Sequence, residues 1–305
     1  MTTMLVPLAG VPRDRHAIRF GQTMARALHG TLELLCLSEP IAEETDPPAR
    51  SAPVPYLDFT ALKDDAELLV DRRIASGHPA EQIAARAAAL DDAFVVLALP
   101  AAPAAGHRRA WRVAQALLRH CPAPVVLLPA RSAAPGSLTS LLVPLDSSPL
   151  AQSVLPLVAD IAGRSRAVVE LVWAEDLGRL LMRYGVGDET DALEIGRSGE
   201  IPQLIDHAAR LYLERSASHL RTQGIDARWQ VLTGGAGAAI SREAATTAAD
   251  LIVMATHGRN RLERLAFGSV TQDVLRQARV PVLVLPPAAR RRRLSPLVHD
   301  VQTVA

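Results

Sequence analysis

Lysine is nearly absent from this chain: Lys63 stands alone beside 32 arginines in 305 residues. No Gly-Lys-Ser/Thr triplet occurs, which excludes a Walker-type phosphate loop. A kinase or a pyridoxal enzyme would rest on Lys63, inside the charged, helix-like run LKDDAE. Cysteine is scarce as well. Cys36 and Cys121 cannot build a disulfide framework or a four-ligand zinc site, and they read as inert thiols in or beside core strands. The nine histidines show no metal-ligand spacing such as His-x3-His. Long apolar runs are missing too. Ala93–Gly106 goes 14 residues without a charge, but it holds two prolines and falls short of the roughly 18 residues of a membrane helix. The opening MTTMLVPLAG lacks the charged and long apolar regions of a secretion signal. Neither sign of charge is in excess, with 33 bases against 32 acids, so no bulk basic field points to nucleic acid. The expectation is a cytoplasmic protein with neither nucleic acid nor membrane as partner.

The composition is that of a soluble globular protein, 49% hydrophobic and 21% charged, and the length suits about two domains. The chain is an internal duplication. Met4-Leu-Val-Pro-Leu-Ala-Gly10 matches Leu141-Leu-Val-Pro-Leu-Asp-Ser147 at an offset of 137. Gly77 to Pro129 then aligns with Gly234 to Pro286 at an offset of 157, without a gap over 53 residues. The change of offset puts about 20 extra residues between Trp173 and Gly234 of the second copy.

Each copy alternates apolar runs with helix-period stretches. In the second, strands are expected at Leu141–Leu145, Ala167–Ala174, Ala227–Leu232, Leu251–Met254 and Val282–Leu285. Helices are expected from Asp-Ser-Ser-Pro to about Gly163, then at Ile201–Thr222, Ala238–Ala248 and Val270–Gln277. Apolar strands separated by helices predict a parallel sheet covered on both faces. The fold class is therefore α/β, as two tandem doubly wound, Rossmann-like, five-stranded domains. The boundaries read as 1–133, 134–288 and a basic flexible tail at 289–305 that carries Arg290–Arg293. Glu39–Tyr56, with five prolines, reads as loop. Glu175–Glu200 reads as loop with one helical turn. The fifth strands, Pro124–Pro129 and Pro281–Pro286, would leave short apolar edges that need covering. Pairing of the two halves within one chain would cover them, and a homodimer of chains is a further form the sequence leaves open.

The chemistry points to Met254-Ala-Thr-His-Gly258, then nine residues, then Gly268-Ser269-Val270. One glycine follows a strand and the other opens a helix, which presents backbone N–H groups to an anion. A side chain there would hold a phosphate away from the backbone. Ser269 adds a hydroxyl, and Arg259, Arg261 and Arg264 lie between the glycines. Read locally, both glycines are equally explained as turn formers. Ala255-x2-Gly258-x9-Gly268-Ser269 resembles the nucleotide-binding signature of the universal stress protein family, usually Gly-x2-Gly-x9-Gly-Ser/Thr. The segments VPLDSSPLAQS, ADLIVMATHGR and PVLVLP resemble that family too. Ala255, in place of the first glycine, is the departure from its pattern.

The resemblance implies an adenine nucleotide, ATP, with Mg2+ or Mn2+ held by its phosphates. It places Asp146 and Pro144 at the ribose or adenine end and Ala174 along the adenine. Met254 and Ala255 would follow the ribose and phosphates. Gly258, Gly268, Ser269 and Val270 would cradle the triphosphate. Doubly wound sheets independently favour ligands outside the carboxyl ends of their strands. Asp146 also reads as a helix N-cap before Ser147-Ser148-Pro149. In the first copy Gly258 maps to Ala101, Gly268 to Trp111, Ser269 to Arg112 and Asp146 to Ala9. That copy is expected to hold no nucleotide, with a different small-molecule site around Trp111 and His107 as the other reading. Gly234-Gly-Ala-Gly-Ala-Ala239 reads as a turn and helix start rather than a dinucleotide fingerprint.

The implied function is a nucleotide-dependent stress-response regulator with no catalytic residue assigned. Slow ATP hydrolysis or self-phosphorylation is compatible with it. Two other readings stay open, a nucleotidyl-transferring or ATP-cleaving enzyme on the same fold and an interaction module without nucleotide.

Overall fold

The computed structural model of the chain describes residues 1–8, 13–37, 70–101, 108–174, 200–256 and 268–292. In the first half, strands β1 (Thr2–Leu8), β2 (Thr31–Leu37), β3 (Val70–Ala75), β4 (Asp92–Ala98) and β5 (Val125–Leu128) alternate with helices α1 (Asp14–Ala27), α2 (Pro79–Ala88) and α3 (Arg108–His120). The second half has β6 (Ser140–Leu145), β7 (Val168–Ala174), β8 (Ala227–Leu232), β9 (Leu251–Ala255) and β10 (Val282–Leu285). Its helices are α4 (Pro149–Gln152), α5 (Leu155–Ser165), α6 (Glu200–Thr222), α7 (Ala236–Thr246) and α8 (Ser269–Gln277). The repeat offsets hold to the residue at four starts, those of β2 and β7, β3 and β8, α2 and α7, and β5 and β10, whereas β6, β9 and α8 start one, two and four residues later than β1, β4 and α3 imply.

The ten described strands form one sheet in the order β3-β2-β1-β4-β5-β10-β9-β6-β7-β8. Every neighbouring pair is parallel except β5 and β10, which run antiparallel with Val126 opposite Leu283. The two apolar fifth strands therefore cover each other within the chain, as their sequence leads one to expect. The outer strands of the sheet are polar by contrast. β3 reads VDRRIA and β8 reads ARWQVL, a composition that suits an uncovered edge. Because β5 and β10 oppose each other, the carboxyl ends of the two halves' strands point in opposite directions.

Strand alternation sends side chains to two cores. Val143, Leu145, Val169, Leu171 and Trp173 belong to the core that also holds α1, α5 and α6, whereas Leu142, Val172, Ile252 and Met254 belong to the core that holds α2, α3, α7 and α8. Cys36 and Cys121 are buried and free, and burial pushes the Cys121 thiol up to about 11, opposed in part by a backbone hydrogen bond from Ala123. No helix among the described residues is long and apolar enough to cross a membrane.

Two arginines of the second half cap helices of the first. Arg164, at the end of α5, donates to the Leu28 carbonyl that closes α1 and to Thr2 Oγ1 at 2.8 Å, with Asp92 3.9 Å away. Arg292 donates to the carbonyls of Ala87 (3.1 Å) and Leu90 (2.6 Å) at the end of α2. A cation there meets the partial negative charge of a helix C-terminus. The second contact alters the reading of the tail. Residues 287–292 are helical and Ala289 is buried, so ordered structure runs past 288 to Arg292. The apolar Pro-Pro-Ala-Ala stretch packs down and delivers the guanidinium to α2. Arg293, the rest of the 289–305 tail, and the Glu39–Tyr56 and 175–199 segments lie outside the described residues.

Candidate functional site

Strand β6 is followed by helices on one face of the sheet, and its neighbour β9 by α8 on the other. A crevice must open between their carboxyl ends, because the two chains leave in opposite directions. The pairing register agrees. β6 and β9 are matched only at Leu141–Leu251 and Leu142–Ile252, which leaves Pro144–Asp146 and Met254–Thr256 as the two lips. Pro144 has no N–H to give a ladder, and it sits opposite Val172 of β7.

On the β6 lip, Asp146 is exposed at the strand's end. Its Oδ1 accepts hydrogen bonds from Ser148 N–H (3.0 Å) and Ser148 Oγ–H (2.5 Å). Ser147 between them takes φ +59°, a left-handed conformation that turns the chain sharply. The Ser148 hydroxyl oxygen in turn accepts from Ala151 N–H at 3.1 Å. The N-cap of α4 is therefore Ser148, with Pro149 at the first helical position, and not Asp146. Asp146 fixes the rotamer of that cap with one oxygen, and Oδ2 has no hydrogen bond among the described residues.

Tyr212 of α6 lies behind this turn. Its ring meets Trp173 edge to face at 5.8 Å, and its hydroxyl is shut off from solvent beside Gln152. Burial pushes the Tyr212 pKa up and the nearby Asp146 charge adds to that, while Gln152 and Ser216 oppose it. Ala174 is half-buried at the end of β7, opposite Leu232, and packs into the α7/α8 core. Ser148 was legible as a serine before Pro149. Tyr212 carried no local sequence signal.

On the β9 lip, Met254 is buried, Ala255 half-buried and Thr256 only 1% exposed. Gly268 then caps α8 with φ −59° and ψ 151° and offers no side-chain cap. The first bond inside the helix runs from Gln272 N–H to the Gly268 carbonyl at 2.9 Å. Ser269 is exposed and Val270 half-buried in the opening turn, while Thr271, Val274 and Leu275 anchor the helix. Gly258, His257 and Arg259, Arg261 and Arg264 lie outside the described residues. Within them, no group of three or more His, Cys, Asp or Glu side chains could hold a metal ion.

The same place in the first half is built differently. Trp111 and Arg112, equivalent to Gly268 and Ser269, lie inside α3, which starts at Arg108. Trp111 is 8% exposed and packed in the α2/α3 core. The helix end that α8 presents is thus displaced in α3, and the residue equivalent to Gly268 is a tryptophan whose ring packs into the helix core. Ala9 and His107 lie outside the described residues.

The universal stress protein family model matches residues 1–129 and 138–286, one match in each half. The chain belongs to that family. Its halves make it a tandem member, with β5 and β10 at the join. Universal stress protein Slr1230 of Synechocystis sp. is 34% identical over 89 residues, which span 29% of this chain and 29% of that relative. Among solved structures, the functionally unknown protein PA1789 of Pseudomonas aeruginosa PAO1 superposes at a TM-score of 0.60 with 19% identity, covering 98% of this chain and 97% of the other. A universal stress protein of Archaeoglobus fulgidus gives 0.60 at 15% identity, covering 93% and 98%. At such identities these two structures speak for the fold alone, over nearly the full chain.

Proposed function

We propose that this universal stress protein binds ATP at one site, in its second half, and acts as a nucleotide-dependent stress-response regulator. The nucleotide-binding unit is residues 134–288, and residues 1–133 are a degenerate sibling. The observation that carries the reading is the contrast between Gly268, which opens α8 without a side chain, and Trp111, buried within α3 at the equivalent place.

The residues of the two lips and of the first turn of α8 suit the ligand. Gly268, Ser269 and Val270 would hold the triphosphate, with backbone N–H groups and the positive end of α8 directed at it. Met254 and Ala255 would lie along the ribose and phosphates, and Gly258 would complete the cradle. Asp146 Oδ2 would accept a hydrogen bond from the ribose or the adenine, with Pro144 and Ala174 lining that end. Any Mg2+ or Mn2+ would be held by the phosphates and water. Bound nucleotide would bias conformation or partner choice through the crevice between the β6 and β9 lips.

Mass spectrometry of gently purified protein tests the reading. Co-purified ATP, or ATP taken up on addition, is the expected result. Protein that neither carries nor takes up an adenine nucleotide would make it an interaction module. Many turnovers of ATP per chain at enzyme-like rates would make it an enzyme.

A further inference from the structure

Gly237 is the second residue of α7 and is buried. On helix propensity alone an alanine would serve better there, since glycine weakens a helix interior. Space explains the glycine. A β-carbon on Gly237 would lie 2.4 Å from Cβ of Asp273 and 3.4 Å from its Cα and carbonyl carbon. Carbon atoms rest about 3.5–4.0 Å apart, so any side chain at 237 must push α8 away from α7 by roughly 1 Å.

The repeat shows what this closeness serves. The residues equivalent to Gly237 and Asp273 are Ala80 of α2 and Ala116 of α3. The first-half helices thus accommodate two β-carbons where α7 and α8 accommodate one. The tight approach occurs only in the half whose helix opens at a bare glycine. Asp273 follows Gly268 by five residues, a little over one turn, and α8 has nine residues in all. So short a helix moves as a rod, and a displacement at Asp273 carries Gly268, Ser269 and Val270 with it.

We infer that Gly237 is a positioning residue for the phosphate cradle: by leaving room for Asp273 it sets how deeply the first turn of α8 sits beside the β9 lip. This rests on the nucleotide reading above. Gly237 touches no ligand itself and acts through α8.

The test measures ATP affinity of the full chain by calorimetry, with thermal unfolding alongside. It compares wild type, Gly237→Ala and the swapped pair Gly237→Ala with Asp273→Gly, which removes the β-carbon that would collide. Gly237→Ala is expected to lose about tenfold to hundredfold in affinity, the scale of one misplaced hydrogen bond to a charged group. The swapped pair is expected to recover to within about threefold of wild type. Full affinity in a folded Gly237→Ala protein overturns the inference. So does a folded swapped pair that stays as weak as the single variant. If Gly237→Ala does not fold, the swapped pair decides alone. Wild type without ATP affinity would instead overturn the nucleotide reading.

Discussion

Glu33 of β2 accepts two hydrogen bonds of 2.6 Å from the guanidinium of Arg86 on α2, and this ion pair ties the sheet to the helix in the first half. Arg73 adds a second cation at 3.6 Å. The repeat replaces the arrangement with its opposite. Glu33 is equivalent to Glu170, Arg86 to Glu243 and Arg73 to Gln230. Burial pushes the Glu170 pKa up and the Glu243 charge adds to it, while Thr247 and Arg228 oppose it. One half has an attractive contact where the other has two carboxylates.

A pH dependence follows. A carboxyl whose folded pKa is raised stabilises the fold below its unfolded pKa of 4.5 and loses that contribution as pH rises through the folded value. Glu170→Gln is therefore expected to raise the unfolding temperature at pH 7 and to flatten its change across the mildly acidic range. Glu33→Gln should lower the unfolding temperature, because it leaves Arg86 short of its partner at a cost of about 3 kcal/mol. Thermal unfolding of both variants from pH 4 to 8 checks the pair. An unchanged or lower unfolding temperature for Glu170→Gln at pH 7 contradicts the first expectation.

Gly268→Trp writes the first half's residue into the second. The indole should occupy the cradle and abolish ATP binding, with the circular dichroism spectrum retained. Unchanged affinity would count heavily against the phosphate assignment.

Asp146 and Ser148 separate binding from capping. Ser148→Ala should lower stability by about 1 kcal/mol through loss of the α4 cap and leave most of the ATP affinity. Asp146→Ala should weaken ATP by a factor of about 10 or more, the size of a charge-assisted hydrogen bond of roughly 1.5–3 kcal/mol. Calorimetry and chemical unfolding on both variants distinguish the two roles. Equal losses of affinity would place both residues in one unit.

Arg164→Met removes the guanidinium that joins Leu28, Thr2 and Asp92 across the two halves. A loss of about 1–3 kcal/mol is expected, because the buried carbonyl and hydroxyl lose their donor. No change in the urea midpoint would mean that β5–β10 pairing alone sets the coupling.

Much of the fold was legible because the duplication checks itself: α7, expected from the second copy at 238–248 and found at Ala236–Thr246, has its equivalent in α2 at the same fixed offset. The pairing of β5 with β10 followed from two apolar edges that water would otherwise wet. The order of the β6 turn was less accessible. Asp146 and Ser148 are both good caps two residues apart, and only the left-handed Ser147 decides between them. Arg292 looked like part of a solvated charge run, since its partners are carbonyls of a helix more than 200 residues away. Gly237 was hidden for a similar reason: what it avoids, Asp273, is distant in sequence and close in space.

The number of ATP molecules bound per chain tests the central claim most directly. Titration calorimetry on nucleotide-free protein should give one per chain, and none for Gly268→Trp. Two per chain, or one that survives Gly268→Trp, would place a nucleotide in the first half and contradict the account.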